Sequence, residues 1–189
     1  MTAQEPDEVF IEGGSFAVTA VDGTGLFDPA AHGMAPRAIS TSCYHGHVGR
    51  YAVVEQRLTL RELQLGSAAE PPPLAGVRPR QDEDESWHYR GLELPIDFTG
   101  RLLIGRGNLA DRPYLTMGFR PAWLYPDVRE LTFQAGALLS ATDCSAALAE
   151  VRAAVAATAT RPAPGEETRD WIDRTFSLTY AYSWPGRPQ

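Results

Sequence analysis

Lysine is absent from this 189-residue chain, so all 17 basic side chains apart from histidine are arginines, set against 24 aspartates and glutamates. The resulting net charge of −7 argues against a nucleic-acid backbone or an anionic membrane as the main partner, because both call for a basic face. Alanine, glycine and proline are frequent, and with the missing lysine this reads as the codon bias of a GC-rich genome. The arginines are therefore not read as selected for phosphate. Cysteine is scarce as well. Cys43 and Cys144 are the two in the chain, too few for a disulfide scaffold and too far apart for a zinc knuckle. They are expected as free thiols in a reducing compartment. No apolar run approaches the ~18 residues of a membrane helix, and Met1 to Glu8 lacks the basic and apolar pattern of a signal peptide. The expectation is a cytoplasmic protein.

What is present is an ordinary globular composition, 43% hydrophobic and 10% aromatic, in a length that suits one domain over residues 1–189. Short apolar runs with frequent punctuation favour strands. "EVFIEGGSFAVTAVDG" reads as a hairpin turning at Gly13-Gly14, and "RYAVVEQRLTLRELQL" as a second one bending at Glu55-Gln56. "VRELTFQAGALLSATD" forms a third across Ala135-Gly136, while "GRLLIGRG" and "RPYLTMGF" suggest single strands. Residues 23–38 and 66–86 read as long loops, the second carrying three consecutive prolines and an acidic run. "SAALAEVRAAVAATA" has helical spacing, with Asp143 or Ser145 placed to cap it. "RTFSLTYAYSW" alternates and reads as a final half-buried strand. The fold class expected is α+β, mainly antiparallel β: a curved sheet or small, partly closed barrel with one helix in the C-terminal half.

The stretch "TSCYHGHVGRY" carries the most suggestive chemistry. If it is extended, Cys43, His45 and His47 share one face, since strand side chains alternate. Two imidazoles and a thiol there suit a nucleophile with its base, or a borderline metal completed by Asp97 or His88. Gly46 and Gly49 argue against a regular strand, and short His-x-His runs also arise in surface loops. Aromatic residues Tyr51, Trp87, Tyr114 and Trp123 are the candidates for stacking on a flat ligand, although aromatics more often close a core. "IGRGNLADRP" lacks the full glycine fingerprint of a dinucleotide site and reads as a turn.

Over residues 39–143 the chain resembles a family of uncharacterised bacterial proteins. Their pattern runs Thr-x-Cys-Trp-Arg-Gly-Tyr, a hairpin with Leu-x-Leu, Phe-x-Gly, Tyr-Val-His-Met-Gly-Tyr and a closing hairpin. "TSCYHGH", "DFTGRLLIGRG", "PYLTMGF" and "VRELTFQAGALLSATD" carry the likeness. The resemblance implies an architecture and no activity. Tyr44 falls on the family's Trp, His45 on its Arg, His47 on its Tyr, and Thr116 where the family has His. The histidine pair is thus particular to this sequence.

The leading functional expectation is a binding or interaction module with a small-ligand cavity, of the immunity or accessory-protein kind, without a cofactor. A small molecule or a protein is the expected partner, and the oligomeric state stays open. The rival is a small cofactor-free enzyme of cyclase or isomerase type, with His45 or His47 as acid or base beside Cys43. The third is a metal-dependent enzyme using the same trio.

Overall fold

Three tight turns organise the strands, and each has both central residues in the left-handed region. They are Glu12-Gly13, Glu55-Gln56 and Ala135-Gly136. That backbone matches the right-handed twist of the strands it joins, which is why such turns close two-residue hairpins. In the computed structural model, which describes residues 2–113, 115, 117–155, 162 and 165–187, they link β1 (Glu8–Ile11) to β2 (Gly14–Thr24), β3 (His47–Val54) to β4 (Arg57–Leu65), and β8 (Asp127–Gln134) to β9 (Ala137–Asp143). The remaining strands are β5 (Arg80–Gln81), β6 (Trp87–Pro95) and β7 (Thr99–Arg106).

Seven of these strands close a barrel in the order β3-β1-β2-β7-β8-β9-β4 and back to β3. All neighbours run antiparallel except β1 and β3, which pair in parallel with Glu8 opposite Arg50 and Val9 opposite Tyr51. The seam between β9 and β4 is narrow: Arg57 opposite Ala137 is its one ladder pair, backed by the Leu58 amide bonding to Gly136 O. Gly136 has φ +77, and a Cβ there would lie 2.4 Å from the Ile96 carbonyl oxygen, so the seam admits no side chain. Above the seam β4 pairs instead with β6, which carries β5 as a short flap. The mainly antiparallel barrel expected from the sequence is therefore present, and it is closed rather than partly open.

Side chains fill the barrel. Phe16, Leu60, Leu63, Leu102, Ile104 and Leu131 are all essentially inaccessible and belong to one core cluster, with Phe98 edge-on to Phe133. A barrel of this strand number is narrow enough for side chains to occupy its interior. The stretch at 23–38 helps close it, because Phe27 and Met34 are buried in the same cluster and Asp28 caps a 3-10 turn at Pro29–His32. The stretch at 66–86 is tied down by the β5 pairing, by a Leu74–Val77 bridge and by the Tyr89 hydroxyl donating to Pro72 O.

A second core lies outside the barrel, where Leu103, Ala20 and Val128 meet Trp123, Leu124 and Leu148. Helix α1 (Ser145–Val155) covers this face; the Asp143 carboxylate accepts the Ser145 amide at its start. The stretch at 174–184 expected as a strand is instead the end of helix α2 (Thr168–Thr175), an irregular link and a single turn, α3 (Tyr180–Ser183). Two-residue and four-residue spacings coincide for Tyr180 and Trp184, and the Trp184 amide bonds to Tyr180 O in the helical manner. The stretch packs over β2: the Val21 amide donates to Leu178 O, and the Ser183 hydroxyl donates to Thr19 O at a bulge between Val18 and Ala20. "RPYLTMGF" also departs from expectation. Among its described residues, Gly118 alone enters a bridge, with Ala3.

Candidate functional site

The histidine stretch is a turn followed by a strand, so its side chains do not alternate on one ladder. Cys43 makes an isolated bridge with Ser40, residues 44–46 turn, and β3 begins at His47. Gly46 makes that turn at φ +82 against the Arg37 backbone, where a Cβ would sit 2.6 Å from the carbonyl oxygen. The turn brings His45 back beside His47, with ring centroids 4.9 Å apart and edge-to-face, and His45 also leans on Phe119 at 5.7 Å. Both rings are partly covered.

Cys43 does not join the rings. Its thiol is buried and directed at the His47 carbonyl oxygen, 3.6 Å away. Burial pushes the thiol up to about 11, so it stays protonated and un-nucleophilic at neutral pH.

Asp7 joins instead. The parallel β1–β3 pairing sets Glu8 opposite Arg50 and so carries Asp7 to Gly49, whose amide donates to Asp7 Oδ1 at 2.7 Å. Burial raises the Asp7 carboxyl to about 6, against the lowering influence of the Gly49 amide and of His45. His45 moves down, first through burial and then through its neighbour His47, with Asp7 and Glu5 pulling it the other way. His47 is lowered by burial too, while its interaction with the His45 backbone and, after it, Asp28 act to raise it. Tyr51, next inward on β3, is buried with its hydroxyl held well above the ordinary phenol range by burial and by Asp7.

The Nδ1 atoms of His45 and His47 are buried without a hydrogen-bond partner. Neutral imidazoles, a carboxyl ionising near pH 6 and a buried phenol thus meet at one place on the barrel. Such a group gives and takes protons near neutral pH. Of the cavities of about 570, 390 and 180 Å³, none is lined by either histidine.

The other sequence candidates lie apart. Tyr51 belongs to the barrel core and Trp123 to the outer core. Trp87, on β6, donates its indole N–H to Ser67 O at 3.3 Å. Tyr114 and Thr116 lie outside the described residues. His88 is engaged by Ser86 and Asp82, and the exposed Asp97 sits 4.0 Å from Arg57, so neither completes a ligand set with the pair. Among the described residues no group of three or more His, Cys, Asp or Glu is arranged to hold a metal ion. Asp7 escaped notice in the sequence because a lone acid before a strand carries no signal of what that strand pairs with.

Comparison with known protein families, curated proteins and solved structures finds no match for this chain. The likeness described over residues 39–143 therefore rests on its motifs alone. Among the described residues no helix is long and apolar enough to cross a membrane.

Proposed function

We propose that the protein is a binding module that takes a small, hydrogen-bonding molecule at the His45–His47–Asp7 corner of the barrel. The observation that carries this reading is the pair of buried, unpartnered Nδ1 atoms, 45 and 47, beside a carboxyl that burial keeps partly protonated. A buried polar atom without a partner costs about 1–3 kcal/mol, and a ligand that supplies the missing bonds recovers it. The filled interior favours this outer corner over the lumen, since Phe16, Leu60 and Leu102 occupy the space a ligand would need.

The test is a titration followed through the ¹⁵N signals of the imidazoles, using a panel of small carboxylic acids, phenols and amides. A saturable shift of the His45 and His47 nitrogens, lost in His45→Ala and His47→Ala, supports the reading. No saturable shift with any class, or binding unaffected by both substitutions, overturns it.

A second reading is acid–base catalysis by the same corner, favoured by Asp7 at about 6 next to a neutral imidazole. Deuterium uptake by a panel of enolisable ketones in D₂O tests it. Uptake that falls in both Asp7→Asn and His45→Ala supports it, and uptake no faster than in buffer refutes it.

A further inference from the structure

The segment that follows β7, together with Leu124 of the 3-10 turn at Ala122–Leu124, lines a cavity of about 390 Å³. Its apolar wall is formed by Leu109, Leu115 and Leu124, and its polar residues are Asn108, Arg112 and Arg120, with no acid among those lining it. That volume falls in the range of small-molecule sites, and its lining is divided about equally between apolar and polar surface.

Several guanidiniums are engaged by carboxylates, Arg50 by Glu8 and Glu62, Arg101 by Asp22 and Arg174 by Glu166, but the two arginines that line this cavity are not. Among the described residues neither Arg112 nor Arg120 has an acidic partner within 4.0 Å. Their positive charge is reinforced from α1, where Arg152 donates to Trp123 O and Tyr125 O, behind the wall. Arg152 feels Arg112 directly, since after burial it is Arg112 that lowers its hold on a proton. Like charges held close, as Arg112 and Arg152 are, repel each other, and an anion relieves that repulsion. Guanidiniums bind carboxylate and phosphate through paired N–H bonds, which gives direction as well as charge.

We propose that this cavity binds an organic anion, an apolar body bearing a carboxylate or a phosphate, with the head on Arg112 and Arg120 and the body against Leu109, Leu115 and Leu124. The site shares no lining residue with the histidine corner, so each proposal stands or falls separately.

The test is calorimetric titration of the full chain with octanoate, octyl phosphate and the neutral 1-octanol. Either anion should bind at least ~10-fold more tightly than the alcohol, and the tighter of the two identifies the head group. Arg112→Gln and Arg120→Gln should each weaken it by about 10-fold or more, while the exposed Arg169→Gln leaves it unchanged. Should a glutamine variant fail to fold, Arg112→Lys and Arg120→Lys keep the charge without the fork; weaker but salt-sensitive binding is then expected. Equal binding of the alcohol, no binding of either anion, or equal affinity in the arginine variants overturns the proposal.

Discussion

Replacing Asp7 with asparagine isolates the electrostatics of the histidine corner. The carboxyl titrates at about 6 in the fold because burial opposes its ionised form. In the unfolded chain it returns to the ~3.9 of an exposed aspartate. The folded state therefore binds this proton more tightly than the unfolded state does, and stability falls as pH rises between those values. Below about pH 3 both states are protonated and no penalty exists. Above about pH 7 the penalty is complete, and at about 1.4 kcal/mol for each pH unit separating the two values it amounts to ~3 kcal/mol. Asparagine keeps an oxygen for the Gly49 amide but carries no charge. Asp7→Asn should thus gain stability relative to the parent as pH is raised from 4 to 7, by up to ~3 kcal/mol, and show no further gain above 7. Urea unfolding of both proteins at half-unit pH steps measures this directly. A difference that stays constant across pH 4–7, or grows toward acid, refutes the burial of this carboxyl.

The remaining expectations concern neighbouring parts of the same fold. Cys43, buried and shifted up to about 11, should resist iodoacetamide at pH 8 in the native protein and react on unfolding, as mass spectrometry reads; rapid native labelling refutes that placement. Ser183→Ala removes the hydroxyl that donates to Thr19 O and accepts the Ala122 amide, all buried, and should cost about 1–3 kcal/mol in urea unfolding. Gly136→Ala places a Cβ against the Ile96 carbonyl at φ +77 and should cost more than ~1 kcal/mol, lowering Tm; an unchanged Tm would show that the β9–β4 seam is looser than its geometry. Leu103→Ala should cost about 2–5 kcal/mol, whereas the exposed Leu139→Ala should change stability little, and equal effects would contradict the outer core.

Much of the sheet was legible because hairpins are local. Turn residues and alternation at 8–24, 47–65 and 127–143 sit within a few positions of one another, and the chain pairs there as its pattern dictates. The C-terminal stretch was not legible for a related reason. Its alternation of Phe176, Leu178, Tyr180, Tyr182 and Trp184 asks for a sheet edge, and a barrel that closes on itself offers few. The stretch crosses the outside of β2 instead, where one turn of helix turns Ser183 to the bulge carbonyl and buries Tyr182, whose hydroxyl donates to Phe119 O. Tertiary demand overrode the local period.

The candidate site shows the same division more sharply. His45 and His47 drew attention by their spacing, but spacing assumed a strand that Gly46 interrupts, and the interruption is what brings the rings together. Had the run been extended, Cys43 would have shared their face; in the turn its thiol faces the His47 carbonyl and leaves the chemistry. Asp7 takes its place through a parallel pairing between strands some forty residues apart, a contact that no alternation or turn residue announces. The residues that give this corner its proton chemistry are therefore united by barrel closure. An isolated peptide spanning 41–54 would keep both histidines and lose the shifts, because neither the burial nor the Asp7 carboxyl would come with it.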